Sequence, residues 1–248
     1  MDSYIMERLK EAVPLNIVPQ YDLAGKCAGL VIIDEVNGFC TVGAGNLAPQ
    51  IADASIDVMV SKTVAVAREG FGKRDLPILA FEDTHEPGVP EPPYPPHCER
   101  GTGEEILVPG LQWLYSYSSN HLQKDCINGF VGGIREDGSN VVADFVNREH
   151  IETLVITGIC TDICVLDFVV TMLSARNHRF PCRDYGLMPT LKNIVVLVPA
   201  CATYDLPIKT AIAVGLPEFA AHPRELTHYM GLYFMASRGA ILANDLIF

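Results

Sequence analysis

The chain of 248 residues predicts an α/β fold: a central, mostly parallel sheet flanked by helices on both faces. Three observations predict it. Short apolar runs rich in β-branched residues recur along the chain, as strands buried on both faces require. Segments of helical period lie between them. The composition, 49% hydrophobic and 19% charged, is that of a chain with a sizeable core. In order, the strand-like runs are "GLVIIDEV" (29–36), "PILAFEDTH" (77–85), "NVVADFV" (140–146), "TLVITGIC" (153–160) and "NIVVLVPACATYD" (193–205). Helices are expected over 49–71, over the almost wholly apolar 161–178, and over 222–240, which opens near Pro223 and stops at Gly239. No repeat or linker divides the chain, so residues 1–248 are read as a single domain, with "PCRDYGLMPTLKN" (181–193) as a surface loop insertion.

The net charge of −12 argues against a nucleic-acid partner, which needs a basic face. The start, "MDSYIMERLKEAVPLN", lacks the unbroken apolar core of a secretory signal. No apolar run approaches the roughly 20 residues of a membrane-spanning helix. The expectation is a cytoplasmic protein with no membrane partner. The eight cysteines sit mostly in apolar runs without any CxxC, and read as reduced, buried thiols.

Ligands of open parallel sheets bind beyond the carboxyl ends of the strands. Asp34 follows "LVII" and is either a turn-forming acid or a buried general base. In "TGICTDICV", Thr161 or Asp162 is suited to cap the following helix, which puts Cys164 in its first turn. There it is either a small core residue or an activated thiol near amides able to hold an oxyanion. Cys160 is the rival nucleophile, although its place at the strand end favours a role for its amide. Lys124, in "LQKDCINGF", reads as part of a loop before a strand. It is either a solvated charge or, beside Asp34 and Cys164, a stabiliser of thiolate. The stretch "FEDTHEPGVPEPPYPPHCERGTGEE" carries Asp83 and His85 two apart, hence on one side of an extended strand end, and brings His97 back after a proline-rich loop. One carboxylate and two imidazoles suit zinc or iron with positions left open, Glu86 and Glu91 being extra donors. The alternative is a pair of surface histidines flanking a rigid loop.

Taken in this order, the four stretches resemble the isochorismatase-like cysteine hydrolases, and within them the nicotinamidases, from Val31 to about Asp205. The resemblance implies a Rossmann-like three-layer fold and a catalytic set of Asp34, Lys124 and Cys164. It implies an oxyanion hole from the amides of Cys160 and Cys164, with a cis peptide at Ile159–Cys160. Asp83, His85 and His97 would be ligands of a divalent metal, zinc foremost, with iron or manganese as alternatives. Phe39 matches a pocket aromatic of the family. Tyr94 stands where the family usually has Trp, and Ile127 where an aromatic commonly precedes the "NGF"-like triplet.

The implied activity is hydrolysis of the small molecule nicotinamide to nicotinate and ammonia through a Cys164 thioester, a step of NAD salvage, in a homo-oligomer. Phe39 and Tyr94 would sandwich the ring. The tail beyond Leu206 matches no catalytic motif. Its look, with the 181–193 loop, is similar to plant-type nicotinamidases, and His222 and His228 are assigned to a helix-cap region and to a core or surface position. Three other readings stand beside this one: a metal-free hydrolase of another small amide or ureido compound, a non-catalytic ligand-binding relative, and a metallohydrolase using metal-bound water.

Overall fold

A computed structural model describes residues 3–89, 91–178 and 186–248. The strands are β1 (Ile17–Val18), β2 (Tyr21–Asp22), β3 (Ala28–Ile33), β4 (Ile78–Asp83), β5 (His121–Lys124), β6 (Thr153–Ile159), β7 (Asn193–Ala202), β8 (Ile241–Ala243) and β9 (Leu246–Ile247). The helices are α1 (Ser3–Ala12), α2 (Asn37–Cys40), α3 (Ala54–Arg74), α4 (Gly129–Gly132), α5 (Val141–Arg148), α6 (Cys164–Asn177), α7 (Ile208–Ala213) and α8 (Arg224–Ala236). Seven strands form one sheet in the order β1-β8-β7-β6-β3-β4-β5, and β2 pairs with β9 beside it. Every pair in the large sheet is parallel, as the continuous apolar runs predict.

Alternation along β3 builds two cores. Leu30 and Ile32 pack with Ile56, Met59 and Val66 of α3 on one face. Val31 and Ile33 pack with Phe145 of α5, Phe168 of α6 and Leu232 of α8 on the other. Caps start the helices where sequence chemistry provides them: Asp53 accepts from the Ser55 and Ile56 amides ahead of α3.

Three expectations need correction. "NVVADFV" is not a strand but α5; its buried residues Val142, Ala143, Phe145 and Val146 fall at helical spacing. The signal lay in Asn140, whose side chain accepts from the Val142 and Ala143 amides as an N-cap. Lys124 is not in a loop before a strand: it is the last residue of β5, with Asp83 as its register partner in β4. The polar sequence "HLQK" hides this edge strand, whose burial is incomplete. The cysteines are not uniformly buried either: Cys40, Cys98 and Cys201 are, whereas Cys27 is exposed. All seven described cysteines are free. Cys182 and the segment 181–185 lie outside the described residues; of the following ones, Met188 and Leu191 are buried in the second core. No described helix is long and apolar enough to cross a membrane.

The carboxyl ends of β3, β4, β5, β6 and β7 meet along one edge of the sheet. Asp34 follows β3 in a left-handed conformation (φ 54°), which an aspartate adopts at a cost of about 1–2 kcal/mol. It passes over Gly158 of β6, where φ is 127° and an added Cβ would lie 2.1 Å from the Ile33 carbonyl oxygen. Only glycine lets the two strands approach so closely where the chain turns into Asp34. Gly158→Ala is therefore expected to destabilise the fold by at least about 2 kcal/mol. An unchanged chemical-denaturation midpoint would contradict this packing.

Candidate active site

Four strand ends deliver the side chains. Asp34, Asp83 and Lys124 are buried at 0%, 2% and 2% exposure. Lys124 Nζ donates to Asp83 Oδ1 at 2.8 Å and to the Cys126 carbonyl at 3.0 Å. It also pairs with Asp34 Oδ2 at 2.9 Å. Two hydrogen bonds and the ion pair with Asp34 together keep this ammonium tolerable out of water. Burial alone would push the Lys124 amine down, but Asp34, Cys164 and Asp83 hold it well above its ordinary value. Burial raises Asp34 to about 6 against the opposing pull of Lys124. Burial would also raise Asp83, yet Lys124, His85 and His97 bring it below the usual carboxylate range.

The two cysteines of the 160–164 turn differ in their neighbours. Cys164, the first residue of α6, neighbours the Asp34 carboxyl and feels the Lys124 charge. Burial raises its thiol well above the ordinary value, with Lys124 opposing, so the resting sulfur keeps its proton. Cys160 instead faces the Thr203 hydroxyl and the Tyr204 amide, and burial pushes it up to about 12. The structure brings Asp34, Lys124 and Cys164 together and turns the Cys160 sulfur toward the end of β7. The Ile159–Cys160 peptide is cis.

The second carboxylate oxygen of Asp83 faces two imidazoles. Oδ2 lies 3.1 Å from His85 Nε2 and 3.1 Å from His97 Nε2. The loop that returns His97 is fastened by backbone bonds: the His85 amide donates to Cys98 and the Arg100 amide to His85. Further along, both oxygens of Glu105 accept the amides of Gly101 and Gly103. His97 Nδ1 donates to the Pro95 carbonyl at 2.8 Å, which orients the ring and turns Nε2 toward the group. A carboxylate oxygen and imidazole nitrogens so disposed repel one another unless a cation or protons lie among them. Asp83, His85 and His97 therefore fit a divalent metal. Of the two extra donors, Glu91 Oε2 approaches to 3.7 Å from His85 and 3.6 Å from His97. Glu86 is exposed and engaged with Arg100.

The predicted aromatics flank this group. Phe39 lies 5.6 Å and Tyr94 6.0 Å from the His97 ring, centroid to centroid. Tyr94 also borders the nucleophile turn: burial, then Cys164 and Cys160, push its phenol up to about 12.

Other expectations fail. Neither Thr161 nor Asp162 caps α6, whose N-cap is Ile163 without a capping side chain. Thr161 Oγ1 faces His228 Nδ1 at 2.9 Å, and Asp162 Oδ2 faces His222 Nε2 at 2.7 Å. His222 does lie in the cap region of α8, just before its N-cap residue Pro223, and its side chain reaches the nucleophile turn. Tyr204, just beyond the end of β7, joins the site through its stacking on His222, and its place at a strand end is the signal for it in the sequence.

A parallel sheet whose carboxyl edge gathers a buried carboxylate, an ammonium and a thiol is an α/β hydrolytic architecture, and the chain belongs to the isochorismatase family: the Isochorismatase domain matches residues 28–212. Nicotinamidase 1 of Arabidopsis thaliana is 46% identical over 246 residues, covering 98% of this chain and 97% of that protein. A nicotinamidase of Acinetobacter baylyi is 29% identical over 199 residues, 74% of this chain and 84% of that one. The fold is shared with the crystal structure of a nicotinamidase from Bacillus subtilis, at a TM-score of 0.59 and 20% identity over 87% of this chain and 98% of that one.

Replacing Lys124 by Met leaves two buried carboxylates facing each other. Breaking such a group costs about 3–5 kcal/mol. Lys124→Met is expected to lose that much stability in denaturant titration, and a loss below about 1 kcal/mol would show that water already reaches the pair.

Proposed function

We propose that the chain hydrolyses nicotinamide to nicotinate and ammonia. The observation that carries this reading is the sharing of Asp83 between Lys124 and the two histidines, which joins a donor group for a metal to a buried Asp–Lys–Cys set in one cleft. The likeness to Arabidopsis Nicotinamidase 1 over nearly the whole chain supports the choice of substrate. Asp83, His85 and His97 would hold a divalent metal, zinc being best matched to this donor set, and Glu91 stands near as an additional donor. When bound, the metal supplies a Lewis-acidic anchor for the pyridine nitrogen.

The chain's own groups do the rest. Phe39 and Tyr94 flank the ring and set the carboxamide toward Cys164. Asp34 accepts the Cys164 proton, and the sulfur attacks the carboxamide carbon. Lys124 stabilises the thiolate as it forms. The carbonyl oxygen becomes an oxyanion at the amides of Cys160 and Cys164; those of Thr161, Ile163 and Val165 are engaged with the Ala202 and Cys160 carbonyls. Asp34 returns the proton to the departing ammonia. Water then adds to the thioester, giving nicotinate and the free thiol. Resting Cys164 as a protonated thiol beside a carboxylate raised to about 6 is consistent with this order of proton transfers.

Ammonia release from nicotinamide is expected to vanish in Cys164→Ala with the circular-dichroism spectrum unchanged, and to persist in Cys160→Ala; the reverse pattern would exchange their roles. His97→Ala is expected to lose metal, read by elemental analysis of the purified protein, and to raise KM about tenfold or more. Unchanged metal content and KM would remove the anchor from the mechanism.

A further inference from the structure

The rear of the nucleophile turn is built by the part of the chain that carries none of the four motifs. After β7 the chain makes an excursion over residues 207–221, containing α7. The Leu206 and His222 backbones close its base with two bonds of 2.8 Å. His222 leaves this base with its ring stacked on Tyr204, 3.9 Å between centroids and 14° between planes. Its side chain is 11% exposed and that of its partner Asp162 is 14% exposed. From behind, α8 sets Gly231 so close that an added Cβ would meet the Asp162 Cα at 2.9 Å. The same helix supplies His228, which faces Thr161. The residues between the two cysteines are therefore gripped by the tail through three contacts.

The bonds to His222 fix its charge. Nδ1 faces the Tyr204 carbonyl at 2.9 Å, and a carbonyl only accepts. Nε2 faces Asp162 Oδ2 at 2.7 Å. Burial would raise the Asp162 carboxyl, but the His222 hydrogen bond and charge bring it below its ordinary value, so it too only accepts. A neutral imidazole has one N–H, and two acceptors require two. The ring is an imidazolium, held above its ordinary value by Asp162 although burial opposes this.

The surrounding groups leave the pair largely to itself. Burial keeps Cys160 and Tyr204 neutral. His228 is pushed down by burial and is neutral. Arg224 is engaged with Asp53 and the Thr203 carbonyl, and its amide takes Asp205.

Asp162 stands between Cys160 and Cys164, whose amides carry the developing oxyanion in the reading above, and a bare carboxylate there opposes that charge. We propose that His222 is a positioning residue: paired with Asp162 it fixes the 160–164 turn, and its positive charge cancels the Asp162 charge beside the oxyanion amides. The kinetic part of this inference rests on the amide-hydrolysis reading; the charge of the pair does not.

The test uses the full chain, with nicotinamide as substrate and nitrogen-15 NMR of the histidine rings. In His222→Gln the side chain still reaches Asp162 but is neutral at every pH. Turnover is expected to fall about tenfold, less than for loss of an oxyanion donor, and the alkaline limb of the wild-type kcat profile is expected to disappear. Adding Asp162→Asn, which removes the stranded charge, is expected to restore most of the turnover. A purely structural role predicts neither the change of profile nor the rescue. Wild-type kcat and profile in His222→Gln, or a double variant no faster than the single one, would overturn the proposal. Independently of substrate, the wild-type His222 ring is expected to remain doubly protonated above the pH at which free histidine titrates, and to lose this in Asp162→Asn. A ring titrating like free histidine would overturn the proposal whether or not any variant folds. Failure of the wild-type protein to release ammonia would strike the substrate reading instead, and the ring titration alone would then decide the pair.

Discussion

The site is organised around one buried ammonium. Lys124 has no exposed side-chain surface and depends on Asp34 and Asp83 for its charge to be tolerated. Those two carboxylates depend on it in return, since either alone in the core would be strongly disfavoured. The arrangement fixes the relative positions of three strand ends, because β3, β4 and β5 must stand in one register for the three charges to meet. Two carboxylates around one ammonium also leave an excess of negative charge. That excess sits on the Asp83 oxygen turned toward His85 and His97, which is where a cation is best accommodated. Charge balance in the core thereby ties the nucleophile half of the cleft to the half that would anchor a ring.

The sheet and most of this half were legible in the sequence because strand ends in a parallel sheet share one edge. A run such as "LVIID" announces both a buried strand and the acid at its tip. The proline-rich loop kept the spacing of Asp83, His85 and His97 readable, since two ligands share a strand end and the third returns through a loop stiffened by prolines. Elements of mixed polarity were harder. β5 is four residues at the sheet edge with an exposed glutamine, so periodicity says little about it, and Lys124 lost its direction with it. "NVVADFV" is ambiguous because a short apolar run fits either period, and only the Asn140 cap decides.

The tail was illegible for a different reason. The pairing of His222 with Asp162 joins residues sixty apart, and neither belongs to a periodic pattern or a local motif. Local chemistry even misdirects, because Thr161 and Asp162 are ideal capping residues by type. They are drawn away from that role by α8 and the base of the excursion, which offer imidazoles in place of backbone amides. Helix α6 begins without a side-chain cap as a result. Tertiary contacts have overridden a local preference here, beside the cysteine whose surroundings matter most.

The excursion over residues 207–221 carries exposed apolar side chains, Phe219 at 90% among them, and is closed at its base by the Leu206–His222 backbone pair. The pair holds the two ends of the loop together whatever lies between them. Closure entropy grows only slowly with loop length, so lengthening 207–221 is expected to cost little while the base holds His222 in place. A side chain that the nucleophile turn leans on is thus held by backbone bonds at the foot of an exposed apolar loop, so a change on the loop's surface need not reach the turn.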